Sequence, residues 1–178
     1  MATSNPRLLT CLSIVALVAG CTAAPGSGSP LPSSFADRVP VTGATKDCGL
    51  QDLRTTDTSG GVQTQTATLH CTYEMSDPRV SGLEEAKLTM HWVQGANPEV
   101  DYYLVEDDVL TNDGGTWRGS GWGSEYNDES GDWYTTGTSL FVGEGGYAGL
   151  SYRMLLAREG LALAGRPYMV SGWIEPTD

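Results

Sequence analysis

Apolar and polar side chains alternate most cleanly over residues 82–94. Ala86, Leu88, Met90 and Trp92 fall on one face there, and Glu85, Lys87, Thr89 and His91 on the other. That two-residue period is the mark of a half-buried β-strand. A Thr-rich run over residues 62–75 alternates in the same way, and Asp77-Pro78-Arg79 after it supplies turn chemistry. Residues 100–111 predict a third strand, ended by Asn112-Asp113-Gly114-Gly115, a strong hairpin signal. Residues 116–123 pair back as a fourth strand, and 125–131 form a polar turn. Residues 132–142, 147–157 and 167–175 supply a fifth, sixth and seventh strand. Ahead of them all, residues 38–41 read as a short edge segment.

One stretch is ambiguous. Residues 150–163 place Leu150, Met154, Leu155 and Ala157 at spacings a helix tolerates. Gly149, Gly160 and Gly165 bound the stretch tightly, so it is read as strand. Seven or eight strands joined by Gly, Asn and Asp turns fit a sandwich or a closed barrel. Glycine placement favours the barrel. Gly119 and Gly121 share a face with Trp117, and Gly137, Gly149 and Gly172 sit inside otherwise apolar strands. Interior glycines of this kind mark sharp bends or close backbone approach. The fold class expected is therefore all-β: a single antiparallel β-barrel of about eight strands.

The N-terminus follows a different pattern. One positive charge, Arg7, precedes an apolar run over residues 8–18, and the small residues Ala19 and Gly20 lead to Cys21. This is the layout of a secretory signal, and the run is too short to span a bilayer as a helix. Val18-Ala19-Gly20-Cys21 resembles the bacterial lipoprotein signal, with Val18 where Leu is usual. The resemblance implies cleavage before Cys21, lipid on Cys21 and a protein held on the extracytoplasmic face of the cell membrane. The competing readings are an ordinary signal cut after Ala23 or Ala24, and an uncleaved apolar anchor. Residues 22–34 are almost all Ala, Pro, Gly, Ser and Thr, a composition that buries little apolar area and reads as a tether. The expected organisation is signal peptide over residues 1–20, tether over 21–44 and barrel over 45–178.

Charge and cysteines narrow the picture. The sequence has 10 basic and 22 acidic residues. Arg7 is the only charge in the first 20 residues, so the mature form carries 9 − 22 = −13. Such a surface argues against nucleic acid as a partner. Cys48 and Cys71 remain after Cys11 and Cys21 are set aside, and in an oxidising exterior they are expected to pair. His70 and His91 are the only histidines and there is no Cys-x-x-Cys, so no metal or other cofactor is expected. The same scarcity of histidine argues against a serine triad.

A second resemblance comes from the C-terminal half. Gly115-Thr116-Trp117-Arg118-Gly119-Ser120-Gly121-Trp122, then Gly143-Glu144-Gly145-Gly146-Tyr147-Ala148-Gly149-Leu150, then Val170-Ser171-Gly172-Trp173-Ile174 resemble the small eight-stranded barrels of the allene oxide cyclase and dirigent group. Met75-Ser76-Asp77-Pro78-Arg79-Val80-Ser81-Gly82 is similar to a segment of exported actinobacterial proteins with this barrel signature. The likeness implies a fold and transfers no catalytic residue.

Candidate chemistry is sparse. In Glu106-Asp107-Asp108 strand parity puts Glu106 and Asp108 on one side and Asp107 opposite; a solvated face is the first reading and an acid–base pair the second. The oxygen-rich residues 125–132 read as an acidic hairpin turn, with calcium as the alternative. Parity sends Arg118 and Arg153 to solvent. Trp92, Trp117, Trp122, Trp133, Tyr147 and Trp173 are read first as core packing and second as the lining of an apolar pocket. The functional class expected is a lipid-anchored binding or structural module, holding at most a small apolar ligand, with no catalysis. The alternative is a barrel enzyme acting on a hydrophobic substrate with a rim carboxylate such as Glu144. An open apolar lumen holding an inward acid favours the enzyme; a lumen filled by Met90, Trp92, Leu140 and Leu150 favours the module.

Overall fold

The computed structural model describes residues 37–93, 99–127, 133–159 and 167–177. They form eight strands: β1 (Val39–Ser59), β2 (Val62–Met75), β3 (Gly82–Val93), β4 (Glu99–Asn112), β5 (Gly115–Asn127), β6 (Trp133–Gly145), β7 (Leu150–Glu159) and β8 (Met169–Pro176). Each strand pairs antiparallel with the next, and β8 returns to β1 to close the ring. The fold is the single antiparallel all-β barrel expected from the alternation. Closure removes the free sheet edges that an open meander would expose. The whole ring lies within residues 39–176, so a chain that starts at Thr22 carries every strand of it.

Regular stretches of the strands sort their side chains by parity. On β3, Ala86, Leu88 and Met90 are buried in the lumen while Glu85 and Lys87 are exposed. The expected strand over residues 150–157 is β7, which contributes Tyr152 and Met154 inward and Arg153 outward. Three details depart from the sequence reading. β1 is a 21-residue strand and begins at Val39, so residues 39–44 belong to the barrel rather than to a tether: Val41 is buried, and Val39 to Ala44 pair with β8. Gly149 lies in the β6–β7 turn at φ +84°, a conformation that favours glycine, and not inside a strand. Tyr147 occupies the same turn instead of starting the following strand.

One end of the barrel is closed. The turn after β2 forms a one-turn 3₁₀ helix, Pro78–Val80, capped by the Asp77 carboxylate, which accepts from the Arg79 amide. Val80 is fully buried beneath it, packed with Tyr73, Leu110, Trp117, Phe141, Tyr152 and Ile174. Asn112 fixes this plug. Its Nδ2 donates to the carbonyls of Pro78, Arg79 and Ser81 at 3.2, 3.0 and 2.7 Å, and its Oδ1 accepts from the Tyr147 hydroxyl. The Trp117 indole N–H reaches the Arg79 carbonyl at 2.7 Å. A large apolar core and satisfied backbone carbonyls therefore coincide at this end.

The other half of the lumen is emptier, and β5 is a principal reason. Its inward positions include Gly119, Gly121 and Gly123, which put no side chain into the interior. A Cβ at Gly121 would stand 2.2 Å from the Thr138 carbonyl oxygen, so β5 and β6 approach too closely there for any larger residue. At Gly123 a Cβ would lie 2.3 Å from the Tyr103 hydroxyl, so this glycine makes room for the ring crossing the lumen. Bending and hollowness thus share one origin in the sequence.

Cys48 and Cys71 form the expected disulfide, tying β1 to the lumen face of β2. Among the described residues, β1 stops pairing with β8 at Ala44, and beyond it Gly49 to Ser59 pair with β2 alone. Asp47 and Asp52 adopt positive φ at the register shifts of this segment. Such bulges twist an edge away from further pairing.

Candidate functional site: an acid pair in the barrel lumen

Above the closed end lies a cavity of about 670 Å3. Its apolar wall comes from Leu69, Leu88, Met90, Trp92, Val105 and Leu156. This volume falls within the ~300–1,000 Å3 typical of small-molecule sites. Met90 and Trp92 line the cavity without filling it, Leu140 points outward and is 45 % exposed, and Leu150 packs against the closed-end core. The lumen is accordingly open.

Two carboxyls are set into it. Glu84 lies on the same face of β3 as Ala86 and Leu88 and is 4 % exposed; Asp108 on β4 is 0 % exposed. Asp108 reaches the lumen through a bulge. The β4–β5 register shifts between Val105 and Asp108, and Asp107 takes φ 47°. The extra residue puts Val105 and Asp108 inward and leaves Glu106 and Asp107 exposed. The expectation that Glu106 and Asp108 share a face fails for this reason, as does the reading of the run as a solvated face: Asp108 is interior.

The Tyr73 hydroxyl donates to Glu84 Oε1 at 3.0 Å. Glu84 Oε2, both oxygens of Asp108 and the Tyr152 hydroxyl are buried without a hydrogen bond of good geometry. Desolvation pushes Glu84 well above the usual carboxyl range, and the charge of Asp108 pushes it further, with the Tyr73 hydrogen bond opposing. Burial lifts Asp108 to about 6, while the adjacent Glu84 carboxyl and Ser139 hydroxyl pull it down. Two buried acids this close share a proton. At neutral pH Glu84 holds it and Asp108 is ionised. Desolvation also raises Tyr73 and Tyr152, whose hydroxyls border two acids.

A second polar group sits nearer the mouth. Arg158 on β7 is 7 % exposed; its Nη2 lies 3.5 Å from Glu125 Oε1 and 3.3 Å from Thr135 Oγ1. Thr135 in turn donates to Glu125 at 2.9 Å, and the Arg158 guanidinium stacks 4.4 Å from the centre of the Tyr168 ring. This pair is internally neutral. Burial raises the Tyr168 phenol to about 12, keeping it protonated. Lys46 and Asp47 also line the cavity but are exposed, with Lys46 paired to Glu74, so the ionised Asp108 is the buried charge of the lumen without a cationic partner.

The sequence candidates distribute unevenly around this site. Trp92 lines it, Trp117 and Tyr147 stack 5.0 Å apart at the closed end, and Trp122 borders the cavity while 62 % exposed. The Trp133 side chain lies outside the described residues, as do 128–132 of the candidate calcium turn, whose Glu125 instead joins Arg158. Arg118 and Arg153 face solvent as expected, paired with Glu144 and Glu175 at 3.0 Å each. Glu144 is thus an outer-surface residue and has no access to the lumen as a rim acid. Among the described residues no cluster of His, Cys, Asp and Glu is arranged to hold a metal ion.

Parity could have found Glu84, since it continues the Ala86–Leu88–Met90 face. Nothing comparable announces Asp108, Glu125 or Arg158 as a set. No family model matches this chain, and neither a curated protein nor a solved structure matches it.

Proposed function

We propose that the mature protein is held on the extracytoplasmic face of the membrane by lipid on Cys21 and serves as a binding module whose lumen takes one small, mainly apolar molecule. The observation that carries this reading is the 670 Å3 cavity, walled by aliphatic and aromatic side chains and kept hollow by the glycines of β5. A purely structural barrel has no need of that volume, because protein interiors are ordinarily close-packed. The address is supported by Val18-Ala19-Gly20-Cys21 and by a disulfide suited to an oxidising compartment.

An open apolar lumen holding inward acids is also what favours a second reading, a barrel enzyme of the allene oxide cyclase and dirigent type acting on a hydrophobic substrate. Glu84 and Asp108 place a protonated and an ionised carboxyl side by side against the lumen, the pairing general acid–base chemistry requires. Under that reading Glu84 is the acid and Asp108 the base.

Native mass spectrometry of the chain from Thr22, prepared without detergent and exposed to a total lipid and metabolite extract, tests both. A molecule retained and recovered unchanged supports the module; one recovered chemically altered supports the enzyme. A bare polypeptide mass removes both. Separately, Cys21→Ser is expected to release the protein from membranes, and unchanged membrane association would overturn the anchor.

A further inference from the structure

We infer that the lumen is a site for an amphiphilic cation: an apolar body in the cavity with a primary or secondary ammonium against the buried oxygens of Glu84 and Asp108. The inference rests on the reading of the lumen as a ligand site and names the chemistry of its occupant.

Acceptor and donor supply carry it. Asp108 Oδ1 and Oδ2 are buried acceptors without a donor of good geometry, Glu84 Oε2 beside them is buried with no partner of good geometry, and both residues line the cavity. An ammonium offers up to three N–H donors and a positive charge. A neutral alcohol offers one donor, and a carboxylate brings a second negative charge into the same low-dielectric space. The other charged lumen groups do not compensate the pair, because Arg158 is committed to Glu125 and to the face of Tyr168. Tyr73 from β2, Ser139 from β6 and Tyr152 from β7 also face the acids, and none of them carries a positive charge. The Tyr73 ring, which lines the cavity beside the acids, adds an aromatic surface of the kind that favours cations.

The apolar wall selects the rest of the molecule. Leu88, Met90, Val105 and Leu156 offer nothing polar to a ligand body, so a small hydrophilic amine gains little there. Because Asp108 titrates at about 6, the site is charged at pH 7.5 and neutralises below pH 6. An alkylammonium keeps its charge across this interval, as a lysine does with its pKa of ~10.4.

The test uses the chain from Thr22 with three probes of one length: 1-octylamine, 1-octanol and octanoate. Binding is read by calorimetry and Trp fluorescence at pH 7.5 and moderate salt, which screens the acidic outer surface. Octylamine is expected to bind about tenfold or more tighter than octanol, the usual gain of a charge-assisted hydrogen bond, with octanoate weakest. Its advantage is expected to vanish in Asp108→Asn, which removes the ionised carboxyl, and to survive in Glu84→Gln, which keeps it, while octanol binding persists in both and shows the lumen still folded. Below pH 6 octylamine affinity falls and octanol affinity does not. Equal binding of octylamine and octanol, or tightest binding of octanoate, overturns the inference and leaves the lumen reading standing. An amine preference that survives in Asp108→Asn locates it away from the acid pair and likewise overturns it. If none of the three binds, the ligand-site reading fails with it.

Discussion

Replacing Asp108 by Asn keeps the volume of the side chain and removes the one uncompensated charge of the lumen. Its effect on stability follows from linkage. Burial lifts this carboxyl from an unfolded value of ~3.9 to about 6. Between those two pH values the folded chain retains a proton that the unfolded chain has released, so wild-type stability falls as pH rises. The loss is complete just above pH 6 and amounts to about 3 kcal/mol, a large fraction of the ~5–15 kcal/mol that holds a domain together. The Asn variant carries no titration at this position. Its unfolding free energy minus that of the wild type should therefore widen by about 2 kcal/mol between pH 4 and pH 7. Urea unfolding at half-unit pH steps measures it. Taking the difference cancels acids of the opposite sense, such as Asp77, which hydrogen bonding to Arg79 lowers. A difference that stays flat with pH would mean Asp108 titrates as an exposed aspartate does, and the buried-acid description of the lumen would be wrong.

Two further outcomes test the frame around the site. Asn112→Ala leaves the carbonyls of Pro78, Arg79 and Ser81 without their side-chain donor and the Tyr147 hydroxyl without its acceptor; a cost of about 2–3 kcal/mol in urea unfolding is expected, and a neutral result would refute its role in holding the plug. Removing the bridge with Cys71→Ser, paired with Cys48→Ser to avoid a stray thiol, reopens a loop of 23-residue separation and should cost about 3 kcal/mol; the unaltered protein should show no alkylatable Cys48 or Cys71.

The barrel was legible in the sequence wherever a strand obeys one rule throughout. β3 alternates without interruption, so its lumen face could be read residue by residue, and the Asn112–Gly115 turn announced the β4–β5 hairpin. Beyond the edge segment read at residues 38–41, β1 was missed because its largely polar run from Lys46 to Thr58 shows no alternation. Positive-φ residues at Asp47 and Asp52 break its register, and its far half faces water on both sides. Asp108 was misread for a related reason. Parity counts residues, whereas the sheet counts paired positions, and the bulge at Asp107 makes those counts differ by one. The meeting of Glu125 with Arg158 depends on two strands 33 residues apart, separated around the ring by β6, which no local pattern encodes.

The same bulge connects fold to function. A regular β4 that kept Val105 inward would have turned Asp107 into the lumen and Asp108 out to solvent, and a β4 without the acidic run would have allowed an apolar residue beside Glu84. Either arrangement forfeits the pair. Burying two carboxyls with three unsatisfied acceptors costs stability, and apolar residues of similar volume commonly hold such a position better. The cost is local, because Trp117, Tyr152, Phe141 and the Pro78–Val80 plug pack the opposite end of the barrel. A barrel divided in this way, one half filled for stability and the other hollow and charged at a single point, fits a molecule that enters by the open half and presents its polar end to Glu84 and Asp108.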